Sequence, residues 1–451
     1  MHARRCSIRD RMRVVFTKIT SRIPAALGRG LLVAAILSGT LSVLDSTLVV
    51  PLLDTIGQDF GGGTRVSWLI AAYLIASTVF IPVWGRWLDI GGERRPMWTA
   101  LAVFTAGTVM AMVAPSLEVL ILARVIQGIG AGGLVPIGQA IVAGRCTTEE
   151  RARMQVYYNI AYGVAAGLGP LIGGFLVGVS WRWAFAVILP FIIVVALLMR
   201  GRLSNSPRST EDSRFDTLGA VMLTLGLVAI LIGIERRAPW WIPIGVLLLA
   251  VMLVRSRGID NAVIPWRVLQ HRAVVAASSV TLLIGFVQFA MITYLPQLSL
   301  KAAPDLNSGL VVIPLTVLWM TSGALTGLLA LRVGYRVLAL IGTITGALAA
   351  VTLGISVALP ALFIASVLTG LATGLVLIPL LLLTQRSVNS ADVGSATSLI
   401  VVTRNFGGAA GAALTAVLLA ELGASEAFMI VAAIAAVAVV PALIVPGRAR
   451  S

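Results

Sequence analysis

Apolar residues fill the chain in long blocks, broken by short clusters of arginine, proline and glycine. A helix rises about 1.5 Å per residue and the hydrocarbon core of a bilayer is about 30 Å thick, so about 20 apolar residues make a span. Cutting at charged clusters and at Pro/Gly breaks predicts spans over 31–56, 66–84, 97–114, 117–142, 154–178 and 183–199. Two more follow at 216–234 and 240–254, and a last set at 273–294, 309–330, 337–356, 361–384, 395–419 and 427–445. The pattern predicts an all-α polytopic membrane protein of roughly 14 spans, grouped six, two and six. The connector Glu235–Trp240 leaves open whether the middle pair crosses or turns as a re-entrant hairpin.

Composition agrees. Of 451 residues, 58% are hydrophobic and only 12% charged, against about 25% charged in average soluble domains. That excludes soluble enzymes, nucleic-acid readers and secreted disulfide scaffolds. The net charge of +16 has a membrane explanation, because basic residues hold loops on the cytoplasmic side. With the N-terminus inside, roughly 27 basic residues fall in cytoplasmic segments, among them Arg200, Arg202, Arg255 and Arg257. The outer set is Arg65, Arg182, Arg236, Arg237 and Lys301. This asymmetry predicts an inner (plasma) membrane protein with both termini cytoplasmic, and leaves no case for a nucleic-acid partner. The first apolar block carries Asp45 and exceeds the apolar region of a cleavable signal, about 7–15 residues. The tail before it, Arg9–Arg29, either lies on the anionic inner leaflet or is a disordered basic segment.

The basic loops at 200–215 and 255–272 bracket the extra pair. The division expected is a basic tail at 1–30, a six-helix bundle at 31–200, a linker with two additional transmembrane helices at 201–272, a second six-helix bundle at 273–446, and a tail at 447–451. Paired bundles of this kind are a recurrent transporter plan.

Ionisable groups inside a bilayer are costly and usually functional. Asp45 falls about 11 residues, or roughly 16 Å, from the outer end of the first predicted span. Arg124 lies about 7 residues, or roughly 10 Å, from the outer end of the fourth. The two sit at similar depth and can face one polar cavity. Arg404 lies close to the midplane of the thirteenth. Low dielectric favours a protonated acid and a nearby arginine favours its charged form, so a moving arginine can bind and release a proton. These three residues are either a proton-coupling set or a static lock on span packing.

Glycines form a second constellation. Gly163, Gly167, Pro170 and Gly174 fall on one helical face, with Gly169 and Gly173 alongside; Gly128 and Gly132 follow Arg124, and Gly407 and Gly411 follow Arg404. Small faces let backbones approach, and Pro170 frees a carbonyl and bends the axis. The stripes fit sliding or bending helices as well as ordinary small-residue packing. The third constellation is the loop from Gly85 to Arg95, where Asp89 is suited to the positive N-terminus of another helix. Cys6 and Cys146 lie in cytoplasmic segments, and His2 and His271 in basic ones, so neither a disulfide, a metal nor a cofactor is expected. The only lysines, Lys18 and Lys301, do not follow a glycine, so there is no nucleotide-binding P-loop.

These residues resemble the major facilitator superfamily and, within it, the fourteen-helix drug:proton antiporter family, over about 31–445. Gly85, Asp89, Gly92 and Arg94 match the superfamily's loop signature, with Ile90 and Glu93 at positions that are basic there. Arg124 to Gly133 resembles the fourth-helix signature, and Gly163 to Gly174, with Gly169-Pro170 inside it, the antiporter signature of the fifth. Leu44 to Val50 resembles the first-helix motif, with Val50 and Asp54 where it has Asn and Pro. Pro265 to Leu269, Tyr294 to Pro296 and Gly394 to Gly411, which includes Arg404, resemble later segments of the family.

The resemblance implies a major facilitator fold and alternating access, in which an entering proton replaces an outgoing lipophilic or amphipathic small molecule. Asp45 would be the proton carrier, Arg124 and Arg404 its charge partners, and Gly163–Gly174 the sliding seam. Asp89 with Arg94, on the Gly85 and Gly92 turn, would be the inside latch. The protein is expected to act as a monomer whose partners are protons, a small lipophilic substrate and the bilayer. Rival readings are an exporter of a lipid or another endogenous metabolite on the same fold, and a proton symporter for uptake. A polytopic membrane enzyme would need a His, Cys or acid cluster on its outer loops, which are short and lack it.

Overall fold

The computed structural model describes residues 29–61, 66, 68–176, 178–204, 216–235, 238–259, 262–303 and 308–447. The tail before Arg29, the loop at 205–215, Arg65, Arg236 and Arg237 lie outside them. All regular structure among the described residues is helical. The first half comprises α1 (Arg29–Leu48), the short α2 (Leu53–Phe60), α3 (Trp68–Gly91), α4 (Arg94–Met112), α5 (Leu117–Arg145), α6 (Thr148–Leu176) and α7 (Arg182–Met199). Next come α8 (Thr217–Glu235), α9 (Trp241–Arg255) and a single turn, α10 (Trp266–Gln270). The second half comprises α11 (Arg272–Ala302), α12 (Ile313–Val333), α13 (Tyr335–Ile355), α14 (Leu359–Ser387), α15 (Val393–Glu421), α16 (Ala424–Val437) and α17 (Val439–Ile444).

Among the described residues, twelve helices are long and apolar enough to cross a membrane. The spans predicted at 97–114 and 309–330 are also helices, α4 and α12, of 19 and 21 residues, but are not among the twelve. Within the first half α5 packs on α3 and α4, and α1 on α5, α6 and α7; in the second, α11 packs on α15 and α14, and α13 on α14 and α16. The halves meet along α3 with α15 and α6 with α12. The pair α8 and α9 packs on itself, and α8 also rests on α15 and α3, beside that seam.

In lipid, close backbone approach replaces the hydrophobic effect as the force between helices. A Cβ on Gly128 would lie 2.5 Å from the carbonyl oxygen of Tyr73, and one on Gly411 would overlap that of Phe286. Those stripes bring α5 onto α3 and α15 onto α11.

One predicted span is shorter than expected. The block 31–56 is not one helix: α1 stops at Leu48, Val50–Leu52 form a 3₁₀ turn around Pro51, and α2 begins at Leu53. Proline lacks the amide that an α-helical ladder needs. Asp45 is therefore three residues from the end of α1 rather than eleven from the end of a span. Asp59 on α2 accepts 2.7 Å from the indole Nε1 of Trp181, which ties this end to the start of α7.

Candidate functional site

Asp45 is fully buried, and its two oxygens are held from α5. Arg124 Nη1 donates to Oδ2 at 2.6 Å, and Gln127 Nε2 donates to Oδ1 at 2.9 Å. Gln127 is one turn beyond Arg124, so the helix presents both to one carboxylate. Gln127 Nε2 also donates to Thr108 Oγ1 on α4 at 2.9 Å, and Arg124 Nε donates to the Leu69 carbonyl on α3 at 3.1 Å. The ring of Tyr73 lies 4.1 Å from the guanidinium, and its hydroxyl is bonded to Ser42 on α1. Four helices thus converge on one ion pair. Buried charge is tolerated in apolar surroundings only when paired and hydrogen-bonded in this way. Towards the near end of α1 the apolar cluster of Leu48, Val49, Leu52, Leu69 and Leu120 covers it.

A central cavity of about 260 Å³ lies between the halves. Its walls include Ser42 and Tyr73, Gln139 of α5, Gln155, Asn159 and Tyr162 of α6, Trp319 and Met320 of α12, Leu377 and Ile378 of α14, and Arg404 of α15. Asp45 and Arg124 do not line it; Ser42 and Tyr73 stand between. The sequence places these two ionisable groups at one depth, and the structure does pair them, but behind the cavity wall. Arg404 is elsewhere: its Nε donates to Gln288 Oε1 at 3.3 Å, with the rings of Trp319 and Phe289 at 5.0 and 5.7 Å. It is the one charged side chain among the described residues lining the cavity.

At one end the halves are joined through Asp89. The N–H groups of Gly394 and Ser395 donate to its carboxylate at 2.9 and 2.8 Å, and the Ser395 hydroxyl at 2.7 Å. This is the N-terminus of α15, where unpaired amides and the helix dipole favour an anion. Gly85, one turn earlier on α3, lets the α15 backbone approach: its Cβ would lie 2.7 Å from the Gly394 carbonyl oxygen. Gly92 ends α3 with φ of +71°, a left-handed conformation that glycine adopts without strain. Arg94, expected beside Asp89 in the latch, is exposed, and its backbone N–H goes to the Ser204 carbonyl at 3.1 Å. Glu93 beside it works within the first half: buried, it accepts from Arg145 at the end of α5 and from the Ser204 N–H.

The α6 glycines face three ways. Gly169 and Gly173 press on Thr47, Leu48 and Pro51 of the α1 segment, Gly163 seats Met320 of α12, and Gly167 and Gly174 face open space. The side chain of Pro170 lies outside the described residues. Sequence reading missed Gln127, Thr108 and Tyr73, and the cavity row Gln155, Asn159 and Tyr162. The last three recur at i, i+4 and i+7, a polar stripe whose spacing marks one helical face.

A family model described as Major Facilitator Superfamily matches residues 35–357 and 321–451. Among similar proteins, "Multidrug transporter protein MdtP" of Bacillus subtilis (strain 168) is 27% identical over 399 residues, 84% of this chain and 73% of that protein. "Multidrug resistance protein B homolog" of Mycobacterium tuberculosis (strain ATCC 25618 / H37Rv) is 29% identical over 420 residues, 88% of this chain and 77% of that protein. Among solved structures, the human organic anion transporter MFSD10 (TETRAN) is similar with a TM-score of 0.72 at 16% identity, covering 93% of this chain and 100% of that one. The proton:xylose symporter XylE follows with a TM-score of 0.65 at 16% identity, covering 91% and 94%. With a family model spanning nearly all of its length, and two packed helical bundles around a central cavity, the chain belongs to the major facilitator superfamily of membrane transporters and is not an enzyme.

Proposed function

We propose that this transporter is a proton-coupled exporter of lipophilic or amphipathic small molecules, of the fourteen-helix drug:proton antiporter family. Relatives carrying the words multidrug transporter, multidrug resistance and efflux pump support export. The helices α4 and α12, added to the twelve long apolar ones, support the count of fourteen. In this reading the Asp89 end is cytoplasmic, as the basic residues place it, and both termini are inside. Residues 31–200 and 273–446 are the rocking halves, with the α8–α9 pair as a membrane-embedded linker.

The observation that carries proton coupling is the buried Asp45 carboxylate held by Arg124 and Gln127. A paired carboxylate is stable as the anion; when the pair is pulled apart it is uncompensated in low dielectric and takes a proton. Because α1 rests on Gly169 and Gly173, movement of α1 on protonation reaches the seam between α6 and α12. Tyr73, which lies against Arg124 and lines the cavity together with its hydrogen-bond partner Ser42, is the route between proton and cargo. Closure at the Asp89 end and open space at Gly167 and Gly174 suit a state that faces outwards. Arg404 acts from the cavity itself, since the arginine paired with Asp45 is Arg124.

In inverted vesicles, acidifying the lumen is expected to drive accumulation of lipophilic dyes, collapsing on addition of an uncoupler. Accumulation that ignores the uncoupler rules out proton coupling. Reporter fusions at residues 205 and 450 are expected to be cytoplasmic; opposite sides break the fourteen-span topology.

A further inference from the structure

We infer that the cargo bound in the central cavity is an amphipathic organic monoanion, recognised by Arg404. This rests on the exporter reading and narrows it. Asp45 and Arg124 cancel each other behind the wall, so among the described residues the charge facing the cavity is that of Arg404. Among the described residues Arg404 meets Gln288, Trp319, Phe289 and Tyr162, and no carboxylate. A guanidinium carries five N–H donors in a planar fork that matches carboxylate oxygens, and only its Nε is engaged here. A cation left uncompensated in low dielectric is costly, and an entering anion removes that cost.

The neighbouring polar atoms have the matching sense. Tyr162 and Asn159 line the cavity; the Tyr162 hydroxyl, packed against Gly39 of α1, and Asn159 Nδ2, packed against Gly323 of α12, are buried without hydrogen-bond partners, as is Gln288 Nε2 beside Arg404. Each is a donor. Gln139, also of the cavity wall, has an unpartnered acceptor in its Oε1, which suits a hydroxyl or amide N–H of the cargo. Trp319, Met320, Leu377 and Ile378 offer apolar surface to the rest of the molecule. A cationic cargo would meet the arginine with no acid among the described residues of the wall to offset it.

The test is binding of 1-naphthaleneacetate, its uncharged amide, and tetraphenylphosphonium to the purified full-length protein by scintillation proximity. Wild type is expected to hold the carboxylate about tenfold more tightly than the amide, the effect of one charge-assisted contact. Arg404→Gln is expected to bring that ratio to about one with amide binding retained, while Arg404→Lys keeps part of the preference. Should Arg404→Gln fail to fold, Tyr162→Phe is expected to lower the ratio about threefold by removing one donor. An unchanged ratio in Arg404→Gln or, where that variant does not fold, in Tyr162→Phe overturns the inference. So does tighter binding of tetraphenylphosphonium than of the carboxylate, or no saturable carboxylate binding. The assay needs no gradient, so a carboxylate preference that survives a failed vesicle experiment would remove only the exporter reading.

Discussion

Asp45→Asn is expected to abolish pH-gradient-driven transport, a loss of at least about 100-fold, while the protein still reaches the membrane. Proton transfer through a positioned acid contributes about 10²–10⁴-fold where it is required, and an amide cannot carry the proton. The substitution keeps the shape of the carboxyl group and one acceptor for Arg124. Packing among α1, α3, α4 and α5 is expected to survive, with exchange of preloaded substrate retained although accumulation is lost. A static lock predicts something else. Breaking a buried pair by removing one partner costs about 3–5 kcal/mol, so Asp45→Asn would then unfold or be degraded. In that case the double variant Asp45→Asn with Arg124→Gln, which removes both charges, would restore expression. Thermal unfolding in detergent and vesicle transport, measured on both variants, separate the two outcomes.

Asp89→Ala is expected to open the end of the molecule that Asp89 now closes. Three hydrogen bonds from Gly394 and Ser395 end on that carboxylate, and bonds to a charged group contribute about 1.5–3 kcal/mol each. Even one such bond's worth shifts the balance of states by more than about tenfold. Ser398, fully buried against Gly85, reports it. In a background lacking Cys6 and Cys146, Ser398→Cys is expected to resist a water-soluble maleimide when Asp89 is present. It should be labelled at least about tenfold faster in Asp89→Ala. Transport is expected to fall by a similar factor, and Asp89→Asn, which keeps one acceptor, to lie between. Equal labelling with and without Asp89 shows that the contact does not hold that end shut.

Glu93 shows how a sequence departure is explained by its surroundings. At a position that is basic in the loop signature, this chain carries an acid, and the reason is across the fold: Arg145 and the Ser204 amide both need an acceptor there. The partners are 52 and 111 residues away in the chain. The expected role of Arg94 beside Asp89 goes the other way. The two are only five residues apart, but α3 ends at Gly91, and Arg94 starts a new helix with its side chain exposed.

What the sequence alone determined is local. Backbone amides have no water to bond with in hydrocarbon, so each block of about 20 apolar residues must be a helix, and an acid or arginine inside one stands out without any knowledge of its neighbours. Glycine spacing likewise announced close helix faces at Gly128 and Gly132 and at Gly407 and Gly411. The tertiary structure decided which way each side chain looks. Rotation of a helix about its axis is set by the summed packing of all its neighbours, and no periodicity within one span encodes it. That rotation put Asp45 and Arg124 behind Tyr73, gave them Gln127 and Thr108, and left Arg404 as the one charged side chain among the described residues lining the cavity.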